Sequence, residues 1–189
     1  MPLSLVTAPA VEPISLAEAK THIRIDHEHE DLYIQALIVS VRVRFEATLN
    51  RALITQTWAL LLDDWPLYGL AEIVPAPVQS ISSVTVKTPN GTQTVAPTAY
   101  QLDGVSTPAR LKFTGPLPTT DGSLNAITIE FLTGFGATAA NLPADIRHAM
   151  LFTLAHWYEH RDPMYGDDVA RAIPPAAEEL LAPYSEVRL

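Results

Sequence analysis

The chain contains no cysteine among its 189 residues, which excludes disulfides, thiolate zinc sites and cysteine nucleophiles. It has no apolar run approaching the roughly 20 residues that a membrane-spanning helix needs. Basic residues are scarce: 12 Lys and Arg stand against 21 Asp and Glu, for a formal net charge of −9. A dedicated nucleic-acid binder would carry a basic footprint, so that class is disfavoured. An acidic wall can still line a path through which DNA slides without adhering. The opening Met1-Pro2-Leu3-Ser4 has no charged start, apolar core or cleavage pattern, so no signal peptide is expected. Gly134-Phe-Gly136 lacks both the lysine of a P-loop and the third glycine of a dinucleotide turn, and no G-x-S-x-G is present. No cofactor is expected.

What the sequence does have is apolar content of 48%, enough to bury a core, over a length that fits one domain or one domain with a sizeable insertion. Proline punctuates it. Pro2, Pro9 and Pro13 make residues 1–13 read as an extended arm. Ser15-Leu-Ala-Glu18 has the spacing of a capping box and predicts a short helix over about 15–22. The polar stretch Asp26-His-Glu-His-Glu-Asp31 reads as a connector and the solvated start of a second helix, since the helix dipole favours acids there. That helix should run over about 29–50, with no Gly or Pro inside, for roughly 33 Å.

From residue 55 the texture changes. Segments 57–62, 72–74, 78–87, 99–102, 110–113 and 126–132 read as strands, with Pro89-Asn-Gly91 as a tight turn. Helix returns at about 142, with Pro143 in its first turn, and Pro163 stops it. A last short helix follows over 176–181, and Pro183 should break the chain away from it. The expected fold class is α+β: a helical bundle, its N- and C-terminal helices packed together, with an inserted, mostly antiparallel β unit. The expected division is 1–54 for the arm and first helices, 55–136 for the β unit, 137–182 for the remaining helices of the same domain, and 183–189 for a tail.

Three patterns suggest chemistry or binding. His156-Trp-Tyr-Glu159-His160 is H-x-x-E-H, the inverted zinc-protease pattern. His156 and His160 would share a helix face, Glu159 would be the general base, and Glu178 or Glu179 would supply a third ligand. The same spacing also arises in an ordinary packed helix end. Trp58 and Trp65, if exposed, would suit stacking on a sugar. Asp63-Asp64 and Asp167-Asp168 are carboxylate pairs, but adjacent residues point in different directions, and Asp63-Asp64 is better read as a strand-end turn.

The long helix is more informative. At about 100° per residue, Ile34, Leu37, Ile38, Val41, Phe45 and Leu49 fall on one stripe, and Leu32, Ala36, Val39 and Val43 fall opposite. Two apolar stripes imply cover on both sides, by the β unit or by a neighbouring subunit.

The order of landmarks resembles the head–tail connector (adaptor) proteins of long-tailed phages and gene-transfer-agent particles. The likeness runs from Ser15-Leu-Ala-Glu-Ala-Lys20 and Ile23-Arg-Ile-Asp26 through Asp31-Leu-Tyr-Ile34, residues 46–54, Gln56-Thr-Trp58 and Asp64-Trp-Pro66. It continues with Pro77-Val78, Ile81-Ser-Ser-Val84, Tyr100-Gln-Leu-Asp103, Gly134-Phe-Gly136, Leu142-Pro143, Ile146-Arg-His-Ala149, Trp157-Tyr-Glu-His-Arg161 and Leu180-Leu-Ala-Pro-Tyr184. One departure is Ser185, where an arginine commonly follows the Pro-Tyr pair.

The resemblance implies a structural protein and not an enzyme. Its expected partners are itself, in a ring of roughly a dozen copies, the portal protein, and a downstream neck or tail-completion protein. DNA would pass through the channel without specific binding, and no membrane is involved. The expected location is the neck of a virion or phage-like particle, assembled in a bacterial cytoplasm. The resemblance also turns the 157–161 segment into a packing device. Expected site residues are Leu32, Ala36, Val39 and Val43 at the subunit interface, and Leu181, Pro183, Tyr184, Val187, Arg188 and Leu189 in a portal-docking tail. Zinc-dependent hydrolysis through the H-x-x-E-H helix and glycan binding by the β unit are the alternatives.

Overall fold

The computed structural model describes residues 2–161 and 173–185. The fold is α+β, and the chain divides into two compact units, Met1–Ala10 with Thr55–Phe135, and Val11–Ile54 with Gly136–Leu189.

The first unit holds eight strands: β1 Leu3–Thr7, β2 Gln56–Leu62, β3 Leu70–Ile73, β4 Val78–Thr88, β5 Gly91–Thr94, β6 Tyr100–Asp103, β7 Ala109–Phe113 and β8 Ile127–Thr133. They form a five-stranded sheet in the order β1-β2-β8-β4-β5 and a three-stranded sheet in the order β3-β7-β6. Every pairing is antiparallel. Period-2 sequence makes the strands. In β8, Ile127, Ile129, Phe131 and Thr133 are buried; in β7, Ala109, Leu111 and Phe113 are buried while Arg110 and Lys112 face out. Both sheets give side chains to one core, Leu60, Val84, Val86, Ile129 and Phe131 from one and Ala71, Ile73 and Leu111 from the other.

Two strands depart from the sequence reading. The expected free arm contains β1, whose residues pair with β2 from Leu3↔Leu60 to Thr7↔Thr57. All five of its residues are exposed, so backbone hydrogen bonding and not burial recruits it. Strand β5 was not expected because Gly91-Thr-Gln-Thr94 is polar on both faces. The Pro89-Asn90 turn returns the chain to pair Thr88 with Gly91, and Gly91 takes a φ of 110° that favours glycine.

The second unit holds α1 Leu16–Ile23, α2 Asp31–Leu49, α3 Ala144–Glu159 and α4 Pro175–Leu181. Ser15 Oγ accepts from Glu18 N at 3.2 Å and caps α1. The reciprocal half of the expected capping box gives way to an ion pair, with Glu18 Oε1 2.6 Å from Arg147 Nη2. Asn50, at φ 54°, closes α2 with its N–H on the Glu46 carbonyl. Ile34, Ile38, Val41, Phe45 and Leu49 are buried, which makes the first predicted stripe the core face. On α3 the stripe is Ile146, Ala149, Met150, Thr153 and Leu154. Pro143 stands at the N-cap, one residue before the helical turn expected for it. Just upstream, a Cβ on Gly136 would lie 2.3 Å from Asn141 Cγ, so glycine is required there. Asn141 Oδ1 in turn accepts from Thr138 N and Oγ1 at 3.2 and 2.9 Å.

Candidate functional site

The H-x-x-E-H segment ends α3. The His156 and His160 rings lie 4.6 Å apart, and His160 Nδ1 is 2.9 Å from the His156 carbonyl. Among the described residues no three His, Asp or Glu side chains gather in a way that could hold a metal, so Glu178 and Glu179 do not complete a zinc site. The neighbours of this motif do the structural work. The Arg161 guanidinium lies 4.5 Å from the Tyr33 ring centroid and 4.7 Å from that of Tyr158. Its Nη2 donates to Glu30 Oε1 at 2.6 Å, and the Tyr158 hydroxyl donates to Glu30 Oε2. The Tyr158 bond first and the Arg161 bond second hold the Glu30 carboxyl below the usual carboxylate range; the Glu30 bond pushes the Tyr158 hydroxyl up. The acid run before α2 is therefore partly engaged: Glu30 binds the end of α3, and Asp31 pairs with Lys20 at 2.6 Å. The aromatic–acid–Arg segment packs, as the resemblance implied.

A second charged cluster escaped the sequence reading. Arg42 lies on the buried face of α2, with Nε 2.8 Å from Glu12 Oε2 and Nη1 2.9 Å from Glu46 Oε2. Glu46 Oε1 also accepts from Leu53 N at 2.9 Å, which fixes the chain just beyond α2. Burial lowers the Arg42 pKa, but its bonds to the two carboxylates outweigh that and leave it above the ordinary arginine value. The available signal was an arginine beside Ile38, Val41 and Phe45, with glutamate at i+4.

The tryptophans are not free platforms. Trp65 donates its indole N–H to the Pro118 carbonyl at 2.8 Å and meets the Phe113 ring edge-on at 5.0 Å. Trp58 is partly buried against the β core. Asp63 accepts from Asn125 N and Asp64 from Trp65 N, the turn role expected of them. Asp167 and Asp168 lie outside the described residues.

The second stripe of α2 is open. Leu32 is 83% exposed, Val43 52% and Val39 41%, and Ala36 is exposed as well. Val39 also borders a groove of about 460 Å³ lined by Val11, Glu12, Ile14, Leu16 and Ile38. At the other expected site Leu181 is buried, Pro183 exposed and Tyr184 half-buried. Pro183 does not break the chain away from α4: residues Ala182–Tyr184 continue as a 3-10 turn, and the Tyr184 carbonyl accepts from Arg51 Nε at 2.9 Å. Proline suits such a first turn because its missing N–H leaves no bond unmade. Val187, Arg188 and Leu189 lie outside the described residues.

The charged clusters thus brace helices, while one apolar face of α2 stays open. The comparisons with known proteins give the particular family. The sequence profile of the phage gp6-like head-tail connector proteins matches residues 13–109, just over half of the 189 residues. The chain is a member of that family, as the order of its landmarks suggested. Its fold is similar to a chain in the neck of an empty gene transfer agent (GTA) particle computed with C6 symmetry: TM-score 0.83, 23% identity, all of this chain and 97% of the other, a likeness of fold alone. A chain from the virion of a native GTA particle has a TM-score of 0.80 at 25% identity, again over all of this chain and 97% of that one. A chain from the neck of a native GTA particle computed with C12 symmetry has 0.76 at 26%, with the same coverage. No sequence among curated proteins matches.

Proposed function

We propose that this connector closes into a ring of roughly a dozen copies beneath the portal of a phage-like particle, where it extends the DNA channel and offers a platform to the next neck or tail protein. The observation that carries this reading is the exposed apolar stripe Leu32, Ala36, Val39 and Val43 on α2. A face of this kind on a soluble chain marks an interaction surface. With the groove that begins at Val39, it suits a second copy packed head to tail, the contact from which rotational rings are built. The neck structures of similar fold, one treated with sixfold and one with twelvefold symmetry, support a ring.

In this reading the helices, α1 to α4, pack as one bundle that carries the subunit contact. The β unit is the insertion, and the segment from residue 183 onward docks on the portal. There Tyr184 is fixed by Arg51, and Val187, Arg188 and Leu189 supply two apolar groups and a cation, a composition suited to an interface anchor. The charge of −9 per copy is multiplied round a ring, so acids that face the channel repel DNA phosphates and let DNA pass.

The test is the mass and stoichiometry of the assembly that contains this chain in purified particles, by native mass spectrometry or cryo-electron microscopy of the neck. A closed ring at the portal–tail junction is expected. A chain found as a monomer, or away from that junction, refutes the proposal.

A further inference from the structure

Strand β1 is held to its own subunit by backbone pairing rather than burial. Its partners on β2 run from Leu3↔Leu60 to Thr7↔Thr57, with a bulge between Leu5 and Thr7. Leu61 N adds a bond to the Pro2 carbonyl at 3.1 Å. None of the five residues of β1 is buried: Leu3 is 37% exposed, Leu5 45% and Val6 51%.

The connection behind β1 has the composition of a hinge. Ala8, Ala10 and Val11 are exposed and lie in neither helix nor strand, with Pro9 between them. The division between the two compact units falls here, between Ala10 and Val11. Just beyond, the chain is fixed: Glu12 pairs with Arg42, and Ile14 is 1% exposed. From Glu12 back to Thr7 the chain spans at most about 17 Å when extended.

Release of β1 therefore forfeits one ladder of hydrogen bonds and little buried apolar area. It also uncovers an edge of β2 that fits one sequence, Leu3–Thr7, in one register. Every copy in a ring offers such a strand and such an edge. A strand that crosses to the next copy recovers the same ladder, and crossing all the way round leaves no edge vacant. Exchange of an identical element is thus nearly neutral in pairing energy, and a short connection that carries proline is the kind of hinge at which it occurs. The half-exposed Leu3, Leu5 and Val6 gain cover only from another chain, and that cover favours exchange once copies are side by side.

We infer that in the assembled ring β1 of each copy leaves its own subunit and pairs with β2 of the next copy. The structure itself sets the occupant, because the edge that receives the strand is the edge the strand fills in its own subunit. The inference rests on the connector reading and gives the ring a backbone tie in addition to the face on α2.

The chain has no cysteine, so introduced thiols report the pairing without background. Ser4 faces Ala59 across β1 and β2, and Thr7 faces Thr57. Such residues on adjacent antiparallel strands have Cα atoms about 4.5–5.5 Å apart, inside the range a disulfide spans. Ser4→Cys with Ala59→Cys, oxidised in the free subunit, should close within one chain, which shows that the positions meet and that the variant folds. Oxidised in purified particles, the same variant should lose the single-chain band on a non-reducing denaturing gel and give a ladder of linked chains. Thr7→Cys with Thr57→Cys, which alters no buried residue, repeats the test should the first pair disturb the core. Co-assembly of Ser4→Cys subunits with Ala59→Cys subunits should give linked pairs, which only exchange produces. A bond that stays within one chain in particles, or no bond in particles, overturns the exchange while leaving the ring intact. Absence of the subunit from the neck overturns the connector reading itself.

Discussion

An aspartate in the middle of the open stripe on α2 separates folding from assembly. Val43 is 52% exposed in the single chain, so Val43→Asp places the new carboxylate in water. A surface change of this kind moves stability by no more than about 0.5 kcal/mol. For a chain of this size that is a shift of about 1–2 °C in thermal midpoint. In the proposed ring the balance differs. Complete burial of a valine or leucine side chain is worth about 1.5–3 kcal/mol. Covering the exposed half of Val43 therefore contributes about 1 kcal/mol per contact, and Leu32, at 83% exposed, about 2 kcal/mol.

The aspartate removes the valine share and adds the cost of burying an unpaired charge, at least about 2 kcal/mol more. The contact weakens by about 3 kcal/mol or more, roughly two powers of ten. Because every contact in a ring carries the same lesion, the losses compound. Sedimentation velocity and circular dichroism of Val43→Asp should therefore give a folded monomer, and native mass spectrometry of neck assemblies should find no ring. Val43→Ala, which forfeits only about 1 kcal/mol, should retain rings at higher protein concentration. A folded Val43→Asp subunit that assembles normally would refute the interface. A Val43→Asp subunit that fails to fold would refute the exposure on which the reasoning depends.

Three further outcomes are expected. Arg42→Met leaves the Glu12 and Glu46 carboxylates without their shared cation in a part-buried setting and should cost about 2–3 kcal/mol, read as a lower urea midpoint; an unchanged midpoint counts against the cluster. The Glu30 pKa is lower folded than unfolded, so its contribution is present above the ordinary glutamate value of about 4.3 and is lost as pH falls through the folded value. Urea titrations of wild type and Glu30→Gln should thus differ by a constant amount near neutral pH and converge in acid, and a difference independent of pH contradicts the network. Removal of residues 186–189 spares every described contact of Tyr184, so the thermal midpoint should hold while filled heads accumulate without tails, and normal tailed particles would dismiss the tail as the portal anchor.

Much of the architecture was legible because period-2 and period-3.6 apolar patterns, with proline and glycine between them, fixed the elements of both units. The elements missed were those without a burial pattern. Strand β1 is exposed throughout, and β5 is four polar residues held by a turn. Their partners come from backbone hydrogen bonds, which leave no mark on side-chain periodicity. Both apolar stripes of α2 were legible in the sequence, and the structure distinguishes the buried one from the open one. The Pro183 expectation failed because proline was read as a breaker, whereas here it opens a 3-10 turn. The left-handed backbone of Tyr68, at φ 60°, was hidden for a different reason, since the Lys112 bond to its carbonyl comes from a strand far away in sequence.

The position of β8 has a consequence for synthesis on the ribosome. It is the last strand made, yet it lies in the middle of the larger sheet, with β2 on one side and β4 on the other. Until residue 133 has left the exit tunnel, β1–β2 and the β4–β5 hairpin have no shared partner, and each keeps an unpaired inner edge. Such edges are where nascent chains stick to one another, and long-range pairings of this kind close slowly. Residues 127–133 therefore act as a molecular zip fastener drawn up last, and a ribosome stalled before them should release a chain that aggregates. One stalled a few dozen residues later should release a β unit already shut.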